Sequence, residues 1–279
     1  MGLLILALAG CAPEAAPAPT SQPLEAPSGL AIAVGTDGFV AGVNRVPFVA
    51  FDGGKPAAGY ESAEVDVYPI GAGQSKSVWH GEATGHPDYD IPYWVIYPDF
   101  PKAGFWAVVV HLVASDGSVS DGQFAVQVAS SIKSPQIGDT PPASLNRTLG
   151  TEPEIELLTS DLDPDPDLYR MTVAQALDSG RPTVVSFATP AYCTSRMCAP
   201  VLNSVKTVAA DHKGQVNFIH IEVYKQFQPL VYADEMETWG LTSEPWTFVI
   251  DAQGKVAARL GGPLSPGELE QALSELEGS

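Results

Sequence analysis

From Leu30 to about Val128 the chain repeats one pattern: short apolar runs broken by Gly, Pro, Asp and Asn. The runs predict strands at Leu30–Val34, Arg45–Phe51, Ala63–Tyr68, Ser77–Glu82, Tyr93–Tyr97, Phe105–Val113 and Gln123–Val128. Glu64-Val65-Asp66-Val67-Tyr68 alternates polar and apolar, as a strand with one buried face must. Asp116-Gly117 is a hairpin signal between the last two runs. Pro47 lacks an N–H for a ladder, so its run is expected at an edge or a bulge. No helical period interrupts this series, so residues 29–130 are expected to form an all-β unit.

The pattern then changes. Residues 131–153 carry Ser134-Pro135 and Pro141-Pro142 among polar side chains and read as a linker. Thr172-Val-Ala-Gln175 is a capping box for a short helix ending near Gly180. Strands are predicted at Thr183–Ala188, Gln215–Val223, Trp246–Ile250 and Val256–Leu260. Helices are predicted from just before Pro200, where Val201, Val205, Val208 and Ala209 share a face, and over Ala233–Trp239. Ser265-Pro266-Gly267-Glu268 has the form of a second capping box, opening a helix to about Leu276. Asp161 to Asp167 is acidic, but it lacks the turn glycine and closing Glu of a calcium loop and reads as solvated.

A chain of 279 residues suits two domains. About seven strands in about 100 residues suggest an immunoglobulin-like sandwich for the first, without the cysteine pair of antibody domains. The second, over 154–279, mixes helices and strands as an α/β unit. It resembles the thioredoxin-like superfamily in three respects. Cys193 and Cys198 lie between the strand Thr183–Ala188 and the following helix, Pro245 opens a later strand, and a β-hairpin with a terminal helix closes the domain. The resemblance implies a cis proline at Pro245, lying against the active-site sulfur.

The chemistry centres on Cys193 and Cys198. A buried strand delivers the loop to the sheet edge, and the helix that follows points free N–H groups and its positive end at it. Such a site stabilises a thiolate. Cys193 is expected to attack and Cys198 to resolve, with Tyr192, Arg196 and Pro245 shaping the site. Neither sulfur is expected deep in apolar packing. Four residues separate the cysteines, against two in thioredoxin, so the turn between them must be non-helical for a disulfide to close. That spacing also resembles the PrxQ-type peroxiredoxins, which implies a thiol peroxidase as an alternative function. A non-catalytic binding lipoprotein with a degenerate thioredoxin-like scaffold is a third reading. Glu222 and Lys225 are expected to form an ion pair near the same edge, and His220 to be a core residue.

No cofactor and no metal site is expected: His80, His86 and His111 have no ligand spacing. Tyr93, Trp94, Tyr97, Phe105 and Trp106 are expected mainly in the core, with a protein partner for the β-unit as the lesser reading. Thirty-three acidic against 14 basic side chains give a net charge of −19, which repels phosphate backbones and argues against nucleic acid.

The start of the chain adds location. Leu3 to Gly10 is an apolar run shorter than the roughly 20 residues that span a bilayer, and it suits the core of a signal peptide at 1–10. Leu8-Ala9-Gly10-Cys11 resembles the bacterial lipobox, which implies cleavage before Cys11 and its acylation into a lipid bilayer. The Pro- and Ala-rich residues 11–28 then read as a tether. The whole points to a membrane-anchored, extracytoplasmic thiol–disulfide oxidoreductase acting on protein thiols and disulfides.

Overall fold

The computed structural model describes residues 30–71 and 76–277. The expected signal segment, Cys11 and the tether lie outside the described residues. The first unit contains β1 (Leu30–Val34), β2 (Phe39–Val40), β3 (Gly42–Val43), β4 (Val46–Asp52), β5 (Lys55–Pro56) and β6 (Tyr60–Pro69). It continues with β7 (Trp79–Glu82), β8 (Thr84–His86), β9 (Tyr93–Ile96), β10 (Asp99–Phe100), β11 (Gly104–Ala114) and β12 (Val119–Ala129).

Ten of these strands belong to one sheet, and β3 and β10 pair in a second, two-stranded one. One hydrogen-bonded path runs β7-β6-β11-β12-β1-β4-β9-β8, because β1 pairs with β12 in parallel and with β4 antiparallel. Strands from distant parts of the path share one core. Phe48 and Ala50 of β4 pack with Val65 and Val67 of β6, Trp106 and Val108 of β11, and Val126 of β12. The hairpin at Asp116-Gly117 forms, with Gly117 at positive φ, and it lets β12 begin earlier than the apolar run alone indicates. Pro47 is on an interior strand, not an edge. It lies one residue past the last β1 rung, Val34 with Phe48, so its missing N–H interrupts no β1 ladder.

The second unit contains α1 (Val173–Asp178), β13 (Thr183–Ala188), α2 (Cys198–Asp211), β14 (Asn217–Glu222), β15 (Tyr224–Phe227) and β16 (Leu230–Tyr232). It ends with α3 (Asp234–Thr238), β17 (Trp246–Ile250), β18 (Val256–Gly261) and α4 (Pro266–Glu277). The sheet order is β14-β13-β17-β18, with β13 parallel to β14 and the other pairs antiparallel. All six residues of β13 are buried, Thr183 and Ser186 included, as suits a strand covered on both faces. Val184 faces a layer built by Val201, Leu202 and Val205 of α2 and Leu269 and Leu273 of α4. Val185 and Phe187 face the opposite layer, with Val173 and Ala176 of α1 and Met236 of α3. The period-two pattern of one strand thus separates two helical layers.

The 131–153 stretch connects the units but is no free tether. Gly138 donates to the Val256 carbonyl at 2.8 Å, Trp239 Nε1 to Ser144 Oγ at 2.9 Å, and Val173 N to Asn146 Oδ1 at 2.8 Å. Proline marked the segment as irregular, but its backbone groups are satisfied by the second unit.

The two units meet at a buried ion pair. Arg45 Nε and Nη2 donate to the two carboxylate oxygens of Glu268 at 2.6 and 2.8 Å, and the guanidinium also donates to the carbonyls of Gly261 and Pro263. Tyr93 Oη donates to the same carboxylate at 2.8 Å and accepts from Ser265 N. The second capping box is therefore only half formed. Ser265 Oγ caps the Glu268 N–H at 3.2 Å, but the Glu268 side chain is turned away to Arg45. Burial opposes both charges, yet each partner outweighs it: Glu268 is held below the usual carboxylate range and Arg45 is raised.

Replacing one partner should leave the other charge buried and unpaired. Glu268→Leu is expected to cost about 3–5 kcal/mol of stability. The double variant with Arg45→Met should recover a large part of it, as read by urea unfolding in a double-mutant cycle. Because Glu268 has its pKa depressed on folding, its contribution is present above the unfolded carboxylate value. It is lost as pH falls through the folded one. The acid limb of stability in the Glu268 variants should therefore be flatter than in the wild type.

Candidate active site

The reactive loop, Thr189 to Met197, joins the buried end of β13 to the first turn of α2. Its turns are non-helical, as the cysteine spacing requires. Tyr192 N donates to Thr189 O at 3.2 Å and Arg196 N to Cys193 O at 3.4 Å. Arg196 has φ 62°, the one non-glycine residue in the left-handed region among the described residues. That conformation turns the chain so that the N–H groups of Met197 and Cys198 face back to Cys193. Arg196 therefore shapes the site through its backbone. Its side chain is exposed and is not paired with either sulfur.

Cys193 is half-buried and Cys198 fully buried, and both are free thiols. Cys193 Sγ accepts from Cys198 N at 3.3 Å and lies 3.2 Å from Ser195 Oγ. Hydrogen bonding from the Cys198 thiol, opposed by burial and aided by Ser195 and the Met197 and Cys198 N–H groups, lowers the Cys193 pKa to about 5. The same shared hydrogen bond and burial push Cys198 up. The expectation that neither sulfur is deep needs correcting for Cys198. Its surroundings are nonetheless polar on one side, since the Cys193 sulfur, the Thr189 backbone and the Glu244 carboxylate act on it.

Glu244 escaped the reading of the sequence. The Glu244–Pro245 peptide is cis, and the Glu244 carboxylate lies at the pair. One carboxylate oxygen and the two sulfurs lie within 4.8 Å of one another. Burial, then the negative charge of Cys193, raises the Glu244 pKa. The signal was an acid directly before the strand-opening proline, at a distance of 46 residues from Cys198 that only the fold closes.

The β-unit holds this site from two sides. Met197, next to Cys198, packs into a cluster with Val49, Tyr93 and Val95. Asp37 accepts from Thr242 and Ser243 Oγ at 3.0 and 2.7 Å, fixing the loop that carries Glu244. Tyr192 stacks on Phe227 of β15 with ring centroids 5.3 Å apart, at the exposed rim. The expected Glu222–Lys225 pair does not form. Lys225 pairs with Asp234, and Glu222 is buried, accepting from Ser160 N and Oγ at 2.8 and 2.7 Å. Ser160 Oγ in turn accepts from Ala191 N, so Glu222 steadies the reactive loop. His220 is a core residue held by Tyr169 Oη and the Ala188 carbonyl. A cavity of about 490 Å³ lies between the units along Arg45, Tyr97, Trp246 and Arg259, away from the sulfurs.

No family model and no curated protein matches this chain. Solved structures do. A thiol:disulfide interchange protein DsbE of Chlorobium tepidum is 14% identical, with TM-score 0.38, over 51% of this chain and 99% of that one. A second interchange protein of the thioredoxin family, from Chlorobium tepidum TLS, is 20% identical with TM-score 0.31, over 38% and 85% of the two chains. StoA of Bacillus subtilis is 15% identical with TM-score 0.28, over 34% and 83%. At these scores the likeness carries no argument about activity, which rests on the geometry of the sulfurs.

Alkylation of the reduced protein with iodoacetamide should label Cys193 and leave Cys198 untouched. The rate should halve near pH 5 and be level at neutral pH, since thiolate exists above its pKa. Cys198→Ala removes the largest stabilising hydrogen bond and should move that midpoint upward. A wild-type midpoint near the ordinary thiol value of about 8.5 would contradict the geometry.

Proposed function

We propose that the chain is a thiol–disulfide oxidoreductase whose redox pair is Cys193 and Cys198. One observation carries this reading. A half-exposed sulfur has a second, buried thiol against it and accepts from the Cys198 N–H at the start of α2, contacts that favour its thiolate. The Cys193 thiolate attacks one sulfur of a substrate disulfide. A Cys193–substrate bond forms, the substrate S–S bond breaks, and the other substrate sulfur leaves as thiolate. Cys198 then loses its proton, and Glu244, the acid within reach, is the acceptor. The Cys198 sulfur attacks Cys193, forming the Cys193–Cys198 disulfide and releasing the second substrate thiol. Two electrons pass from protein to substrate, and the reverse sequence oxidises a dithiol.

A thiolate stabilised to about 5 favours the reduced pair, so the disulfide should be a ready oxidant of other thiols. The four-stranded sheet with β13 parallel to β14, helices on both faces and a cis peptide at Glu244–Pro245, whose Glu244 carboxylate lies at the pair, support a thioredoxin-like reading of 154–279. Residues 29–130 are read as an immunoglobulin-like unit that braces the site through Met197 and Asp37. The apolar start, Cys11 and the proline-rich tether support acylation and an extracytoplasmic position at a membrane. No helix among the described residues is long and apolar enough to cross one.

Cys193→Ser should abolish thiol–disulfide exchange with a model peptide disulfide. Cys198→Ser should complete the first step and accumulate a mixed disulfide on Cys193, seen by mass spectrometry. Glu244→Gln should leave the first step near the wild-type rate and slow release of the mixed disulfide by about 10- to 100-fold, the range of a lost general base. Exchange that survives in Cys193→Ser would end this reading.

A further inference from the structure

Two sulfur donors and one carboxylate oxygen converge from different elements, and no salt bridge engages any of them among the described residues. Cys193 comes from the reactive loop, Cys198 from α2 and Glu244 from the loop before β17. Around a tetrahedral ion with Zn–S near 2.3 Å and Zn–O near 2.1 Å, donor atoms stand about 3.5–3.8 Å apart. The three donor atoms here lie within 4.8 Å of one another, so rotamer-scale adjustment brings them onto one ion. Cys193 is already oriented by Cys198 N and Ser195 Oγ, the kind of outer contact that fixes a metal ligand.

The geometry points to a Zn²⁺ site formed by Cys193, Cys198 and Glu244 in the reduced protein, with its fourth position open toward solvent. The donor set selects the ion. Two thiolates exclude hard cations such as Mg²⁺ and Ca²⁺, and the carboxylate oxygen suits borderline Zn²⁺ better than Cu⁺, which favours sulfur alone. Half-exposure of Cys193 and Glu244 leaves an entry path, while buried Cys198 closes the inner side. Binding moves no electron: Zn²⁺ replaces the thiol proton, which passes to solvent. The oxidised pair has lost both thiolate ligands and cannot hold the ion. Zinc and disulfide are therefore alternative occupants of one pair of sulfurs, and bound zinc withholds Cys193 from exchange.

The test uses the full chain, reduced and free of air, titrated with ZnCl₂ against a chromophoric chelator, with Co²⁺ as a spectroscopic substitute. One equivalent should bind to the reduced chain and none to the oxidised chain, which is a folded control without any substitution. The Co²⁺ complex should show sulfur-to-cobalt charge transfer and tetrahedral d–d bands. Cys193→Ser and Cys198→Ser should each weaken binding by about 100-fold or more, and Glu244→Gln by about 10-fold with altered d–d bands. Equal affinity in reduced and oxidised chains would overturn the site. Wild-type affinity and Co²⁺ spectrum in Glu244→Gln would overturn the third ligand. Either failure is separable from the redox reading, which is judged by exchange measured in the presence of excess chelator.

Discussion

The buried pair between Arg45 and Glu268 joins the two units, and the site depends on that joint. Its side chains are 4% and 7% exposed, and every guanidinium nitrogen finds an acceptor on the second unit. A buried charge left without its partner is costly, so the pair favours this mutual placement of the units. That placement seats Val49, Tyr93 and Val95 on Met197 and Asp37 on Ser243. Both segments that supply the reactive groups, the loop into α2 and the loop before β17, are thus held by the β-unit.

Within that frame the sulfurs are controlled by short-range contacts. The left-handed turn at Arg196 aims two backbone N–H groups at Cys193, and the Cys198 thiol supplies a third donor. The consequence is asymmetry: one sulfur is half-exposed and anionic, the other buried and protonated. Glu244 adds an acid in a place where charge on Cys193 disfavours a second anion. A proton or a cation relieves that crowding, which is why one arrangement suits both the proposed exchange chemistry and the proposed zinc site.

The first unit is more than a spacer. Its outer-face histidines, His80 and His111, are turned to Asp66 and Asp121, whereas His86 stacks on Tyr93 and reaches Ser265 at the joint. Of the five aromatic residues expected in the core, Trp106 and Tyr93 are buried, but Phe105 and Tyr97 are exposed. Tyr97 is committed to the joint through Glu268. The aromatic content of this stretch therefore divides between core and interface.

Much of this was determined by local pattern. Period-two alternation placed β6, and apolar runs placed β11 and β13. The Thr172 box placed α1, and the strand-to-helix junction singled out Cys193 and Cys198. These features depend on neighbours in sequence, where backbone geometry and hydrogen-bonding needs act directly. Tertiary structure decided what distant residues do for one another. Nothing local distinguishes the Glu268 of a capping box from a Glu268 claimed by Arg45, or a Glu222 paired with Lys225 from one claimed by Ser160. Glu244 became a neighbour of the sulfurs only when β17 paired with β13, and the 131–153 stretch became structure only when the second unit took up its backbone groups. A side chain's partner is set by which elements the fold packs together, and that is a property of the whole chain.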